Sequence, residues 1–198
     1  KTFERLDLFC KEKKIFSNDV WVYNGINISI AEVLEFLKTW TPKKASKKTI
    51  IHGDLCFSNI FYDLTSDKIT VIDPRGLNFD NNVTIYGDTN YDIAKLAHSI
   101  LGDYDFILAD YHNTIIDWDK KIINSIIFSE KKYSNVKVYF TSQIRKKFKL
   151  NNLNLLAMQI NLFLSMLPLH EDDKNRQNAL FANAFRLYFH HKKDLQCL

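Results

Sequence analysis

The chain has 198 residues, 46% of them hydrophobic, which is enough to bury a core as one domain or as one lobe of a larger protein. Its 27 Lys and Arg residues against 23 Asp and Glu residues give a charge of +4, too small a surplus to indicate a nucleic-acid-binding protein. We therefore expect no nucleic-acid partner. The two basic clusters are interpreted as solvated surface. They are Lys43, Lys44, Lys47 and Lys48, and Arg145, Lys146, Lys147 and Lys149.

Three cysteines, Cys10, Cys56 and Cys197, have neither C-x-x-C spacing nor His partners at zinc intervals. The sequence therefore predicts neither a disulfide framework nor a zinc site, and a cytoplasmic location is expected. The longest apolar stretch, residues 155–169, is interrupted by polar residues and is shorter than the roughly 18 to 20 residues of a membrane span. We interpret it as a buried helix and expect no membrane partner.

The first elements are predicted from local signals. Residues 3–15 fit a short amphipathic helix, and Asn24-Gly25 between two β-rich runs predicts a hairpin. Ser29 and Glu32 form a capping-box pattern that opens a helix, which ends before Pro42.

Short strands are then predicted at residues 49–51, 59–62 and 68–72. Thr89 is the predicted N-cap of the next helix, and Gly102 is predicted to close it. From residue 105 to the end, the pattern is mostly helical. The sequence thus predicts a small β-rich centre surrounded by helices.

The segment from His52 to Asn59 has the pattern H-x-D-L-x-x-x-N, the spacing of the catalytic loop in protein kinases. Transfer of a γ-phosphoryl group needs a carboxylate that orients the attacking hydroxyl, together with hard oxygen ligands for Mg²⁺. Asp54 and Asn59 can be presented by one bent loop, and Asp73 follows a hairpin that would return the chain to the same place. These residues predict a magnesium-dependent phosphoryl-transfer site.

The segments IIHGDLCFSNIFYD, ITVIDPRG and GDTNYDIAKLAHS resemble the aminoglycoside phosphotransferase and choline kinase-like family, which has the protein-kinase fold. The resemblance implies that Asp54 is the catalytic base and that His52 supports the loop. It implies that Asn59 and Asp73 bind the magnesium ions that accompany ATP, and that Asp92 supports the loop backbone. HGDLCFSN and IDPRG are also similar to phosphotransferases of bacterial surface-polysaccharide gene sets. The resemblance covers residues 49–101 clearly.

Two features depart from the family's pattern. The five glycines, at positions 25, 53, 76, 87 and 102, are isolated, so no Gly-rich phosphate-covering loop is present. Residues 1–48 are too few for a nucleotide-binding lobe, so we expect that lobe either to precede Lys1 in a longer protein or to be missing. The fragment alone is expected to bind ATP weakly. Asp73 is followed by Pro-Arg-Gly rather than Phe-Gly, which leaves its metal binding unaffected.

The expected fold is α+β, a protein-kinase-like C-terminal lobe that is mostly helical, with small β-hairpins at the catalytic loop. We divide one domain, residues 1–198, into a leading hairpin and helix (1–48), a catalytic core (49–101) and a helical acceptor-binding part (102–198). The expected function is transfer of the ATP γ-phosphate to a hydroxyl of a sugar, an amino alcohol or an aminoglycoside. Two alternatives stay open: a non-catalytic kinase-like scaffold and a metal-dependent phosphoesterase.

Four further polar residues are weighed for the site. Arg75 is a candidate to steady a phosphate, although an arginine beside a turn more often forms a local ion pair. Asp88 could belong to the site or merely end its loop. His98 is predicted on the polar side of its helix, and His170 on a solvated loop beside acidic residues.

Overall fold

The structure, a computed structural model, describes residues 2–44, 48–78, 80–128, 133–148 and 150–196. These residues form a mixed α+β fold in which helices predominate and the strands form small sheets. In chain order the elements are α1 (Thr2–Lys13), β1 (Val20–Tyr23), β2 (Ile26–Ser29), α2 (Ile30–Trp40), β3 (Lys48–Ile50), β4 (Ile60–Asp63), β5 (Lys68–Val71), β6 (Tyr86–Asp88), α3 (Thr89–Ile100), α4 (Tyr104–Leu108), β7 (His112–Asp117), β8 (Ile122–Ile127), α5 (Tyr133–Lys147), α6 (Asn152–Met166) and α7 (Lys174–Gln196). Short 3-10 turns lie at Phe57–Asn59 and Leu167–His170.

A four-stranded sheet joins two hairpins that are far apart in the chain. Its strand order is β2-β1-β8-β7, and β1 is antiparallel to β2 but parallel to β8. The first hairpin turns at Asn24 and Gly25, both with positive φ, as the sequence predicted. The expectation that residues after 105 are mostly helical was wrong for 112–127, where isoleucine-rich β7 and β8 pair antiparallel.

The main core lies where this sheet meets the helices. Trp21 of β1 packs edge-on against Trp118 and against Phe181 of α7, with ring centroids 5.4 and 5.3 Å apart. Trp21 and Phe181 are fully buried, so their rings contribute strongly to the hydrophobic stabilisation of the fold. This aromatic cluster fixes the sheet to the helical part of the molecule.

The most apolar helix, α6, lies in the middle of the helical part. Among the described residues, Asn152–His170 is the one helical segment that could cross a membrane by length and composition. The core helix of a soluble protein passes the same test, and α6 packs against α1, α2, α3 and α7. We therefore keep the interpretation of α6 as a buried core helix.

The start and end of α3 are set by polar contacts. Thr89 was predicted as the N-cap, but the cap is Asp88, whose carboxylate accepts a hydrogen bond from the N–H of Asn90 at 3.1 Å. An aspartate at this position satisfies one of the free N–H groups of the first helical turn. Past the end of α3, the N–H of Gly102 donates to the carbonyl oxygen of Ala97 at 3.0 Å, as expected for a residue that closes the helix.

The position predicted for His98, on the polar side of α3, was wrong. The side chain is fully buried, and its ring packs against Phe163 and Tyr104 with centroid distances of 3.9 and 4.4 Å. Burial lowers the pKa of His98 well below its usual value, and the nearby charge of Lys95 acts in the same direction. His98 is therefore a neutral core residue.

Candidate active site

The loop between β3 and β4 carries the residues of the H-x-D motif. It leaves a two-stranded ribbon, in which β3 pairs with β6, and enters a second ribbon, in which β4 pairs with β5. Gly53 turns the chain between them with φ of +79°. A Cβ atom at Gly53 would lie 2.8 Å from the Cβ of Arg75, so both the backbone conformation and the close packing require glycine.

Asp92, in the first turn of α3, binds the backbone of the loop that carries the H-x-D motif. Its two carboxylate oxygens accept hydrogen bonds from the backbone N–H groups of His52 and Gly53, at 2.7 and 2.8 Å. These are the contacts that the family resemblance implies. The N–H of Asp54 donates to Nδ1 of His52 at 3.3 Å, so the imidazole also supports the loop. The backbone around Asp54 is thereby fixed before any ligand binds.

The carboxylate of Asp54 lies between two side chains. Nζ of Lys95 is 2.6 Å from Oδ1 of Asp54, and Nδ2 of Asn59 is 3.3 Å from Oδ2. The same Asn59 nitrogen donates to the carbonyl oxygen of Asp54 at 2.9 Å. The Lys95 side chain is 10% exposed and that of Asp54 is 43% exposed, so a nearly buried cation orients a carboxylate that solvent and ligands can reach.

The segment after β5 returns to the same loop. The N–H of Ile72 donates to the carbonyl oxygen of Asn59 at 3.0 Å, and the N–H of Arg75 donates to that of His52 at 2.8 Å. Asp73 lies between these two attachments, with an exposed side chain and a φ of +54°, unusual for a residue other than glycine. The fold therefore brings the backbones that carry Asp54, Asn59 and Asp73 together.

The donor atoms suit a hard cation. Because the amide nitrogen of Asn59 is used by Asp54, its Oδ1 is left as a ligand atom, and the carboxylate of Asp73 is exposed nearby. Carboxylate and amide oxygens are the ligands that Mg²⁺ accepts, usually with substrate phosphates and water. In the described part of the chain, no three His, Cys, Asp or Glu side chains form a metal cluster. The loop thus offers the donor types that Mg²⁺ accepts, and Asn59 and Asp73 are the residues that could hold such an ion.

Hydrogen bonds also support the loop at residues 56–58, beyond Asp54. The N–H of Phe57 donates to Oγ of Ser99 on α3 at 3.1 Å, and Sγ of Cys56 lies 3.1 Å from Oγ of Ser58. Burial raises the pKa of the Asp105 carboxyl group on α4, although Ser99, the backbone of Ser58 and the charge of Lys95 act in the opposite direction. The loop is thus anchored at both ends by helix α3.

A cavity of about 610 Å³ opens beside this loop, on the side of His52 and Gly53. Its walls come from residues 41–44, 48 and 51–53, from residues 75–78, 84 and 86–88, and from helices α1, α3 and α6. Arg75 lines this cavity and its guanidinium donates to the hydroxyl of Tyr91 at 3.4 Å. The predicted acceptor-binding part, residues 102–198, thus contributes one wall through α6, and the other described lining residues come from residues 2–94.

Lys95 and Asp105 are the residues of this site that the sequence analysis missed. Lys95 lies three residues after Asp92, so both face the loop from the same side of α3. That spacing was an available signal once Asp92 had been assigned to the loop. Asp105 had no such signal, because its position depends on how α4 packs after the turn at Gly102.

Two of the weighed residues do not join the catalytic loop. His98 is buried in the core, and His170 ends the 3-10 turn after α6, where partial burial is the main reason that its pKa is lowered. Asp88 caps α3 and lines the cavity.

Comparison with protein-family models, with curated proteins and with solved structures gave no match. Functional inference for this chain therefore depends on its sequence motif and the geometry of the loop.

Proposed function

We propose that this protein is an ATP- and Mg²⁺-dependent phosphotransferase that moves the γ-phosphate to a hydroxyl group of a small polar molecule. The observation that carries the proposal is the position of Asp54. Its carboxylate is accessible, it is oriented by Lys95 and Asn59, and its backbone is fixed by Asp92 through the two preceding N–H groups. Phosphoryl transfer relies mainly on such positioning and on electrostatic stabilisation.

In this proposal Asp54 orients the acceptor hydroxyl and accepts its proton. A hydroxyl group that donates to Oδ2 of Asp54 points its lone pair away from the carboxylate, towards the phosphorus atom that it attacks. Nζ of Lys95 pairs with Oδ1 of Asp54 at 2.6 Å. This ion pair fixes the rotation of the carboxylate, so that Oδ2 is presented to the hydroxyl in one orientation. The protein thus fixes the geometry of attack before the donor binds.

Asn59 and Asp73 would hold the magnesium ion, through Oδ1 of the amide and through the carboxylate. The ion supplies neutralisation of the charge on the phosphates when bound. On this protein's side, the hydrogen bond from Nδ2 of Asn59 to Asp54 links the metal ligand and the base within one rigid loop. A shift of either side chain would therefore affect both functions.

The β4–β5 ribbon is the proposed nucleotide side of the site. Tyr62 and Ile69 are partners in the ladder, as are Ile60 and Val71, so all four lie on one face of the ribbon. Tyr62, Ile69 and Val71 are exposed, which makes this an apolar surface next to Asn59. We propose that the nucleotide, or a lobe that binds it, covers this surface in the working enzyme.

Incubation of the protein, including any neighbouring nucleotide-binding segment, with Mg-ATP and a panel of polyols, sugar phosphates, sugar acids and amino alcohols tests the proposal. We expect an acceptor that gains one phosphoryl group in mass spectrometry, and a rate that falls by at least about a hundredfold in Asp54→Asn. Asp119→Asn, which changes an exposed aspartate in the turn between β7 and β8, is the matched control and should keep the rate. Turnover that survives Asp54→Asn unchanged would reject Asp54 as the base.

Two other outcomes would reject the proposal in favour of the alternatives. Hydrolysis of phosphate esters without ATP would identify a phosphoesterase. Binding of a panel compound without any transfer or hydrolysis would identify a binding module.

A further inference from the structure

The cavity beside the catalytic loop is lined by basic residues. Five basic side chains and one carboxylate contribute to its walls and rim: Arg5, Lys43, Lys44, Lys48, Arg75 and Asp88. The sequence analysis interpreted the lysines as solvated surface, and they are exposed, but the fold directs this part of the chain to the mouth of a cavity. The electrostatic potential inside should therefore favour anions, because charges that line a concave site add together.

The two arginines are held at the inner walls. Arg5 reaches from α1 to α6, where its guanidinium donates to the carbonyl oxygen of Ser165 at 2.9 Å. Arg75 is held by Tyr91 and by the contact of its aliphatic carbons with Gly53. A guanidinium has five N–H donors in a planar fork that suits a phosphate or carboxylate group, and both arginines line the cavity.

The same lining disfavours a cationic acceptor. An amino alcohol or an aminoglycoside would need carboxylates in its binding site, yet among the described lining residues Asp88 is the sole acidic one. Asp88 is also engaged as the N-cap of α3. Bringing an ammonium group next to five basic side chains costs free energy that a single lining carboxylate offsets only in part.

We propose that the acceptor is an anion, a small polyol or sugar that carries a phosphate or carboxylate group and binds in this cavity. The role of the bound anion as phosphoryl acceptor rests on the proposed phosphotransferase function. The binding of an anion in the cavity does not. Gly53 lines the cavity and Asp54, the next residue, does not, so a molecule anchored by its charged end on the arginines has to extend its hydroxyl past Gly53 to reach the base. The remote anionic group supplies the binding energy, and Asp54 acts on the other end.

Titration calorimetry on the full chain without Mg²⁺ and nucleotide tests the site with matched probes. Glycerol phosphate is compared with glycerol, glucuronate with glucose, and choline serves as the cationic probe. We expect at least one anionic member to bind about tenfold or more tightly than its neutral twin, since charge-assisted hydrogen bonds distinguish the pair. Which pair shows the difference tells whether phosphate or carboxylate is recognised.

Variants locate the binding. Lys43→Gln combined with Lys48→Gln should weaken the preferred anion about tenfold and reduce its salt dependence. Lys120→Gln, an exposed lysine in the β7–β8 turn outside the cavity, is the control and should leave the affinity unchanged. Asn59→Ala should also leave it unchanged, because Asn59 belongs to the catalytic loop and does not line the cavity.

Several results would overturn the inference. They are equal affinity of the neutral twins, tighter binding of choline, no saturable binding of either anion, and loss of binding in Asn59→Ala but not in the lysine variants. Failure of this inference is distinguishable from failure of the proposed function. Phosphoryl transfer to a neutral polyol without anion binding rejects only the anionic acceptor, whereas anion binding without ATP-dependent transfer rejects only the phosphotransferase.

Discussion

Gly53 and Gly25 have nearly the same backbone angle but very different surroundings. Their φ values are +79° and +78°, yet a Cβ at Gly53 would meet Arg75 at 2.8 Å, whereas a Cβ at Gly25 would have nothing within 4 Å. Substitution by alanine therefore adds the same backbone strain at both positions, about 1 to 2 kcal/mol, and an additional steric conflict only at Gly53. The pair separates the cost of the left-handed conformation from the cost of crowding in the loop.

We predict that Gly53→Ala lowers the free energy of unfolding by about 1 kcal/mol or more beyond the loss in Gly25→Ala. Urea denaturation of the two variants measures this difference. The N–H of Gly53 donates a hydrogen bond to a carboxylate oxygen of Asp92. Because a shift of the backbone at Gly53 would disturb this bond, Gly53→Ala should reduce turnover while Gly25→Ala does not. Equal stability losses in the two variants would show that Arg75 moves aside without cost.

Lys95 gives a second prediction for a single side chain. If Lys95 orients Asp54, Lys95→Met should reduce kcat about a hundredfold, in the range seen when a fixed electrostatic contact is removed, with little change in KM for ATP. Lys95→Arg keeps a cation and should restore part of the rate. A structural role alone would lower stability in both variants without this recovery. A kcat for Lys95→Met within about twofold of the native value would contradict the assignment.

At the scale of elements, α3 combines a polar side that faces the catalytic loop with a buried side that carries His98. The ring of His98 is fully buried, and in the described structure neither of its nitrogens has a hydrogen-bond partner. Burial lowers the pKa of His98 in the folded state, whereas in the unfolded chain a histidine titrates near its ordinary pKa of about 6.5. Below that pH the unfolded state binds a proton that the folded state does not bind, so stability falls as the pH falls.

We predict that His98→Phe removes part of this pH dependence. Between about pH 7 and pH 5.5, the unmutated protein should lose about 1 kcal/mol more stability than the variant. The reason is that only the unfolded state of the unmutated protein has a histidine at position 98 to take up that proton. Chemical denaturation at several pH values checks this. His191→Phe, at a half-buried histidine of α7, is a control with a smaller expected effect. Parallel curves for native protein and His98→Phe would mean that His98 is protonated in the fold.

Elements with a local signal were predictable, and those that depend on distant partners were not. The Asn24-Gly25 hairpin and the Ser29–Glu32 capping box are encoded within a few residues, and both are present. The Asp92 contact followed from the family resemblance rather than from local sequence. The ion pair of Asp54 with Lys95 and the buried position of His98 arise from packing between elements, which a periodicity argument cannot locate.

At the scale of the whole molecule, the pairing of β1 with β8 is a seam that joins two hairpins far apart in the chain. In the four-stranded sheet, Tyr23 of β1 lies in parallel register with Ile123 of β8, and no turn connects the two strands. Both side chains are buried in the main core beside the aromatic cluster of Trp21. The parallel pairing of β1 with β8 has no local sequence signature. The β7–β8 hairpin is antiparallel and local, and its isoleucine-rich strands were a β signal that the sequence analysis did not use. The loop from His52 to Asn59 lies outside this sheet and is held by α3, which packs against α6, whereas α7 and α2 contact the sheet.

We predict that Ile123→Ala lowers the free energy of unfolding by about 2 to 4 kcal/mol, because it leaves a cavity at this seam. Ile126→Ala, on the same strand but 62% exposed, is the matched control and should cost about 0.5 kcal/mol or less. Unfolding of Ile123→Ala should stay cooperative, with fluorescence from the three tryptophans and far-UV circular dichroism giving one transition. Two separate transitions would show instead that the sheet unfolds independently of α3, and hence that damage at the seam leaves the catalytic loop supported.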